Sequence, residues 1–208
     1  MAIIFLVTFI GLMGFGIILP LFPFYAERMG ASPEIITLTM AAFSLGQFVA
    51  APLWGRLSDS IGRKPILILT LLGSSLSYVI LAYAPNLTVV ILSRILSGLM
   101  AGNVSIAFAY VTDITDDNNR AAGLGKVSAA LGLGFMTGPA IGGLLAGNTV
   151  ENANYLLTAW AAAGINFLAM VAAIVFLKES LDAKKRKPFE GFSKIVELAT
   201  FTPAKSIL

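Results

Sequence analysis

The sequence has 208 residues and contains neither cysteine nor histidine. It therefore cannot form disulfides, thiolate metal sites, cysteine nucleophiles or imidazole proton relays. The phosphate-binding pattern G-x-x-x-x-G-K-[ST] does not occur, which argues against an ATP-driven motor. Gly132, Gly134 and Gly138 have the wrong spacing for a dinucleotide-binding loop and lie in an apolar segment. We predict that the protein is not an enzyme and that it binds no cofactor, metal or nucleic acid.

Charged residues are also scarce, at 12% of the sequence, whereas 57% of the residues are hydrophobic and the mean hydropathy is +0.87. A soluble domain usually carries about 25% charged residues. The first apolar segment has no cationic leader and is too long for a cleaved signal peptide. We predict an all-α integral membrane protein, with a six-helix bundle over residues 1–178 and spans over about residues 2–25, 35–55, 65–84, 87–112, 121–147 and 153–177.

The cations are unequally divided between the two sets of loops that connect these spans. One set, which includes residues 27–34, contains a single cation, Arg28. The other set of loops, with its flanks, contains twelve cations: Arg56, Arg63, Lys64, Arg120, Lys126, Lys178, Lys184, Lys185, Arg186, Lys187, Lys194 and Lys205. Positively charged loops stay in the cytoplasm. This asymmetry therefore predicts a multi-pass protein of the cell membrane with both ends in the cytoplasm.

A polar stretch, Gly55–Pro65, separates spans two and three. We expect a tight loop in which glycines bend the backbone and Pro65 lies in the first turn of the next helix. Asp59 can pair with Arg56 or Arg63, or lie at a helix N-terminus, where the helix dipole favours an anion. A solvated loop that only sets the topology is the alternative.

This stretch also fits a known pattern, G-x-L-x-D-x-x-G-R-[KR], at fixed spacing. That pattern is the signature of the loop between the second and third helices of the major facilitator superfamily, which the chain therefore resembles. The resemblance implies that the loop helps to hold a cytoplasmic gate. The matching residues are Gly55, Leu57, Asp59, Gly62, Arg63 and Lys64.

Arg94 is the only ionisable residue deep in a predicted span. An intramembrane cation costs at least about 2.5 kcal/mol, so it should face protein or water. It is either a structural arginine that bonds carbonyls or hydroxyls of neighbouring helices, or a cavity cation that responds to protonation or substrate. Arg94, Gly98 and Ala101 resemble the fourth-helix motif of the same family, R-x-x-x-G-x-x-[AG], whose arginine is implicated in proton coupling.

The segment from Asp113 to Arg120 resembles the D-x-x-x-x-x-x-R segment of the family between helices four and five. We expect Asp113 and Arg120 to bridge to the Asp59 loop on the same side of the membrane. A solvated acidic turn, which would contribute little energy, is the alternative.

Span five has small residues on one face, at every fourth position, which permits close helix packing. The pattern G-x-x-x-G-P-x-x-G-G is similar to the motif of the antiporter branch of the superfamily, and a face used only for packing is the alternative. The residues that match are Gly134, Gly138, Pro139, Gly142 and Gly143.

Span one, over residues 14–23, resembles the first helix of drug and tetracycline antiporters. Several of those proteins have an acidic residue where this chain has Gly11. No Asp or Glu lies within any of the six predicted spans. After span six, residues 179–208 include the basic cluster Lys184–Lys187 and predict a cytoplasmic connector, either an amphipathic helix on the membrane surface or a flexible segment.

The resemblance implies the amino-terminal half of a major facilitator transporter, built as two inverted three-helix repeats. Spans one and four would line a cavity, and spans two and five would pack against an opposite half. We expect proton-coupled efflux of a small organic compound or drug. A symporter or uniporter for a sugar or organic acid is one alternative, and a membrane scaffold that does not transport is another.

On this reading the chain stops before a second half, so it needs that half or a pairing chain in order to transport. The glycine face of span five would otherwise meet lipid.

Overall fold

The computed structural model describes residues 1–147 and 153–186. The predicted connector beyond residue 186 therefore lies outside the described residues. The described part contains eight α-helices and one short 3₁₀ turn. Their bounds are α1 Ala2–Ile18, α2 Phe22–Arg28, α3 Pro33–Ile61, α4 Arg63–Ala82, α5 Leu87–Met100, α6 Asn103–Ile114, α7 Asp117–Ala146, α8 Tyr155–Phe176 and the 3₁₀ turn Ala183–Lys185.

Six helical segments within the described residues are long and apolar enough to cross a membrane. Two of them are interrupted: span one consists of α1 and α2, and span four consists of α5 and α6. The breaks lie at residues 19–21 and 101–102. The prediction of an all-α protein with six spans is confirmed.

The predicted tight loop over Gly55–Pro65 is wrong. Helix α3 continues through Gly55 to Ile61, and Gly62 alone separates it from α4. Gly62 has φ 125°, a backbone conformation that side chains disfavour, so the chain reverses within one residue. The apolar pattern marks where lipid ends, but a helix continues into water wherever its polar residues find partners. Pro65 does lie in the first turn of α4, as expected.

Because the helices extend beyond the predicted apolar spans, they also include acidic residues. Asp113 belongs to the last turn of α6, and α7 begins at Asp117, with the Asp116 side chain accepting a hydrogen bond from Asn119 N at its N-cap. Glu34 and Asp59 likewise lie in the terminal turns of α3. The prediction that spans contain no carboxylate therefore holds only for their apolar central parts.

Packing between the spans repeats itself within the bundle. Span one packs on spans five and six, span four packs on spans two and three, and spans three and six pack on each other. The same set of contacts results when span one is exchanged with span four, span two with span five and span three with span six. Glycines occupy equivalent contacts: Gly16 meets Gly138 between spans one and five, and Gly46 meets Gly98 between spans two and four. The fold is thus the predicted pair of inverted three-helix repeats.

The glycine face of α7 packs against α1 within this chain. A Cβ atom at Gly138 would lie 2.7 Å from Met13 O and from Gly16 Cα, and one at Gly142 would overlap Ile17 O. The expectation that this face meets lipid or an opposite half is therefore wrong. The four-residue spacing indicates a close-packed face, but it does not identify the helix that occupies it. Gly143, by contrast, is exposed and has open space around it.

We predict that Gly138→Leu destabilises the bundle far more than Ala140→Leu. Gly138 is buried against α1 and Ala140 is exposed on the same helix, so the two variants add side chains of similar size in opposite environments. Overpacking at Gly138 should cost about 1–3 kcal/mol or more. Thermal unfolding in one detergent, with expression level as a second readout, measures the difference. Equal melting temperatures would contradict the α1–α7 contact.

Candidate functional site

A cluster of charged side chains joins four spans at one end of the bundle. Its centre is Arg63, at the start of α4, whose side chain is only 9% exposed. The Arg63 Nη1 atom lies 2.6 Å from Asp59 Oδ1 and donates a hydrogen bond to Ser58 Oγ at 2.7 Å. Its Nε atom donates to Asp113 Oδ2 at 2.9 Å. One guanidinium thus links α3, α4 and α6, as its forked donors allow.

These contacts decide between the predicted partners of Asp59. Asp59 pairs with Arg63, and the described residues show no ion pair between it and Arg56. It lies in the last turn of α3, where the dipole of its own helix disfavours an anion. The arginine therefore offsets an unfavourable position.

Glu179, after α8, completes the cluster. Its Oε1 accepts hydrogen bonds from Arg63 N at 2.9 Å and from two amides of its own segment, and its Oε2 accepts one from Lys64 N at 3.2 Å. The first amides of α4 need acceptors because Gly62 supplies no side-chain cap. That missing cap is the signal in the sequence for a distant acceptor, and the partner lies 116 positions away.

Two further hydrogen bonds join α8 and the segment after it to the cluster. Ser180 Oγ donates to Asp113 Oδ2 at 3.1 Å. Lys64 Nζ donates to Ile174 O in α8 at 2.7 Å. Spans two, three, four and six are therefore joined at this end by a single network.

Arg120 does not belong to this network. Its Nη1 lies 2.9 Å from Asp117 Oδ1 within the first turns of α7, and the two side chains are 42% and 89% exposed. The expectation that Arg120 bridges to Asp59 is wrong, whereas Asp113 does bridge to the motif through Arg63. Gly55, another residue of the motif, has open space where a side chain would project.

A second polar site surrounds Arg94 in α5, which is only 5% exposed. The guanidinium carbon lies 5.5 Å from the ring centre of Phe22 and 5.3 Å from that of Tyr78. The Nε and Nη2 atoms are buried and have no hydrogen-bond partner among the described residues. The structural alternative, in which neighbouring carbonyls or hydroxyls hold Arg94, therefore finds no support at these two atoms.

Two cavities adjoin this region, of about 280 and 270 Å³. Arg94 lines the first, and both share walls formed by Phe15, Phe43, Phe135 and Gln47. The Phe15 and Phe43 rings stack at 4.9 Å, and Phe135 meets Phe15 edge-on at 5.8 Å. Gly98, which was expected beside Arg94 in the cavity, instead packs α5 directly on the backbone of Phe43.

Uncharged polar side chains line the second cavity, and sequence reasoning missed them. Asn166 is buried and fills the space beside Gly14, where a Cβ atom would overlap it. A Cβ atom at Gly11 would lie 3.1 Å from Leu71 Cδ2 and 3.4 Å from Asn103 Nδ2, so an acidic side chain at Gly11 would have to displace a neighbour. Amide residues inside apolar segments are the signal that could have located this cavity.

Comparison with known proteins adds the family. The Major Facilitator Superfamily profile matches residues 4–207. The chain belongs to the major facilitator superfamily. This confirms the resemblance of its motifs, and it agrees with the packing of the inverted repeats.

The chain resembles two resistance proteins and one solved transporter of this superfamily. It is 34% identical over 186 residues to the tetracycline resistance protein, class C, of Escherichia coli, with 88% of this chain and 46% of that protein covered. It is 35% identical over 187 residues to multidrug resistance protein 2 of Bacillus subtilis (strain 168), with 89% and 46% covered. The crystal structure of the human organic anion transporter MFSD10 superposes with a TM-score of 0.81 at 27% identity, covering 95% of this chain and 52% of that one.

The chain thus spans about half the length of these relatives, and the shared part is their amino-terminal half, as predicted. In transporters built from inverted repeats, substrate sites lie near the membrane midplane beside interrupted helices. Here Leu19, at the break in span one, lines the Arg94 cavity, and Ala101, at the break in span four, lines the second cavity. The two cavities therefore lie beside the interrupted spans of the bundle.

The Arg63 network gives a matched test of partly buried against exposed ion pairs. We predict that Asp113→Asn lowers the stability of the bundle by about 1–3 kcal/mol, because it weakens a charge-assisted hydrogen bond at a largely buried arginine. Asp117→Asn removes the same charge from an exposed pair and should cost less than about 1 kcal/mol. Thermal unfolding followed by tryptophan fluorescence measures both. A larger loss for Asp117→Asn would show that the network does not hold the spans together.

Proposed function

We propose that the protein is a secondary active transporter that exports a small organic compound in exchange for protons by alternating access. The observation that supports this most is Arg94, a buried cation beside cavities at the interrupted spans, with two donor atoms that have no partner among the described residues. A buried charge without a hydrogen-bonding partner is costly. A group that arrives and leaves during a transport cycle accounts for its retention.

Two features favour export over uptake. The α7 motif has the form of the antiporter branch, and its residues Gly134, Gly138 and Gly142 lie in close contact with α1. The curated relatives named above are resistance proteins, a term that suits export of toxic compounds. A symporter or uniporter for a sugar or organic acid would share the Asp59 motif but would not need the α7 motif.

The proposal assigns roles to the sites described above. The network around Arg63 and Asp59 would hold the cytoplasmic gate closed and release it once in each cycle. Arg94 would couple proton and substrate movements. A second six-helix unit, either a carboxy-terminal half or another chain, would close the cavities beside α3, where Leu38, Leu45 and Phe48 are exposed.

Flux in everted membrane vesicles tests the proposal. We predict that vesicles from cells expressing the protein together with its second six-helix unit accumulate tetracycline, the compound named for one relative, only while a proton gradient, acidic inside, is present. A uniporter would not need the gradient, a proton symporter would not accumulate the compound in this orientation, and a scaffold would give no flux. Arg94→Ala should abolish gradient-driven accumulation, and Arg94→Lys should restore it only in part, because lysine lacks the forked donors.

Lys126→Met, which removes a cation from the exposed surface of α7, is the control for loss of charge. Asp59→Asn should lower flux without preventing insertion, because Asp59 lies at the helix end and outside the apolar part of the span. Full activity of Arg94→Ala would show that this arginine has no part in transport.

We further propose that the protein lies in the cell membrane with both ends and the Arg63 network in the cytoplasm. The chain has no cysteine, so single introduced thiols report their side of the membrane without background. Thr88→Cys and Asn118→Cys place exposed thiols at opposite ends of the bundle. A membrane-impermeant maleimide added to intact cells should label Thr88→Cys and spare Asn118→Cys. The reverse pattern would invert the topology.

A further inference from the structure

The Arg94 cavity combines one cation with an aromatic wall. Its lining includes Arg94, Phe15, Phe22, Phe43 and Phe135. No Asp or Glu of the described residues lines this cavity or its neighbour. A positively charged compound would therefore meet a like charge here, with no anion in the described walls to offset it.

The donor atoms of Arg94 favour an anion with two oxygens. Nε and Nη2 form one edge of the guanidinium, and this edge matches the two oxygens of a carboxylate. Both atoms are buried without partners in the described part of the chain. The rings of Phe22 and Tyr78 offer the guanidinium their faces, which attract a cation but accept no hydrogen bond from its edge. The two rings thus hold the side chain beside the cavity, and its Nε and Nη2 atoms keep their hydrogen-bonding capacity within the described part of the chain.

The aromatic wall indicates what the carboxylate is attached to. Phe15 lies between Phe43 and Phe135, with one ring stacked on it and the other edge-on. A planar aromatic group can join such a cluster in either geometry. Phe135 is 45% exposed, so one side of the cluster is uncovered in this chain.

We propose that this site binds an aromatic carboxylate, with the acid on Arg94 and the ring on the Phe15, Phe43 and Phe135 cluster. This inference rests on the proposed transport function and names the substrate class of the same site. It predicts selection for organic anions over organic cations of equal size.

Binding of 2-naphthoate to the purified 208-residue chain in nanodiscs tests this without any gradient. Titration calorimetry should show saturable binding of 2-naphthoate that is at least about 10-fold tighter than that of the neutral isostere 2-naphthamide, as expected for a charge-assisted hydrogen-bonded pair. Naphthylmethylammonium, the matching cation, should not bind. Decanoate, an aliphatic acid, should bind more weakly than 2-naphthoate.

Variants separate the two parts of the site. Arg94→Met should weaken 2-naphthoate binding by about 10- to 100-fold and remove the preference over the amide. Lys126→Met makes the same change in net charge at an exposed position and should leave both affinities unaltered. Phe135→Leu should weaken 2-naphthoate by about 2- to 10-fold, the range of an aromatic pair. Circular dichroism confirms folding, and Arg94→Lys, which keeps the charge but lacks the fork, provides a second test.

The outcomes are distinct from those of the flux experiment. Absence of saturable 2-naphthoate binding, equal binding of acid and amide, or full affinity in Arg94→Met would overturn the anion site. Equal binding of decanoate would overturn its aromatic part. Anion binding without gradient-driven flux would retain the anion site and reject proton antiport. Gradient-driven flux without a preference for anions would retain proton antiport and reject the anion site.

Discussion

Direct contact between helix backbones is the constraint on which the rest of this structure depends. Gly138 meets Gly16 where α7 crosses α1, and Gly98 meets Gly46 where α5 crosses α3. Lipid provides no hydrophobic drive for one apolar helix to join another, so close approach at small residues has to hold the spans together. The two contacts are equivalent under exchange of the two repeats. They bring spans one and four, the two interrupted spans, to the same central region, where the cavities form.

The two arginine sites illustrate two solutions to the cost of a cation in a membrane protein. Arg63 lies at a helix end, and two carboxylates and a serine share its donors. Its charge is offset, and the network joins spans that are distant in sequence. Arg94 lies deep in the bundle, where the faces of the Phe22 and Tyr78 rings are near its guanidinium. In the first arrangement side chains of the same chain offset the charge, whereas in the second two buried donor atoms have no hydrogen-bond partner among the described residues.

The terminal network also links the segment after α8 to the start of α4. Glu179 occupies the helix N-terminus that Gly62 leaves uncapped, and Ser180 contacts the same carboxylate as Arg63. A change in the position of this segment would therefore alter the partners of Arg63. Any movement of α8 relative to α4 has to break or carry these hydrogen bonds.

The sequence by itself determined the membrane character, the six spans and the family, because lipid imposes a length and an apolar composition that each span must satisfy alone. It also identified Asp59, Arg63, Arg94 and Asp113, since a charge beside or within an apolar segment is conspicuous. Only the tertiary structure decided which partners these charges have, that α3 runs through the predicted loop, and that the α7 glycines pack on α1. Those outcomes depend on contacts between residues far apart in the chain, such as Glu179 with Arg63. Periodicity along one helix shows which face is close-packed, but the neighbour on that face is determined by the packing of the whole bundle.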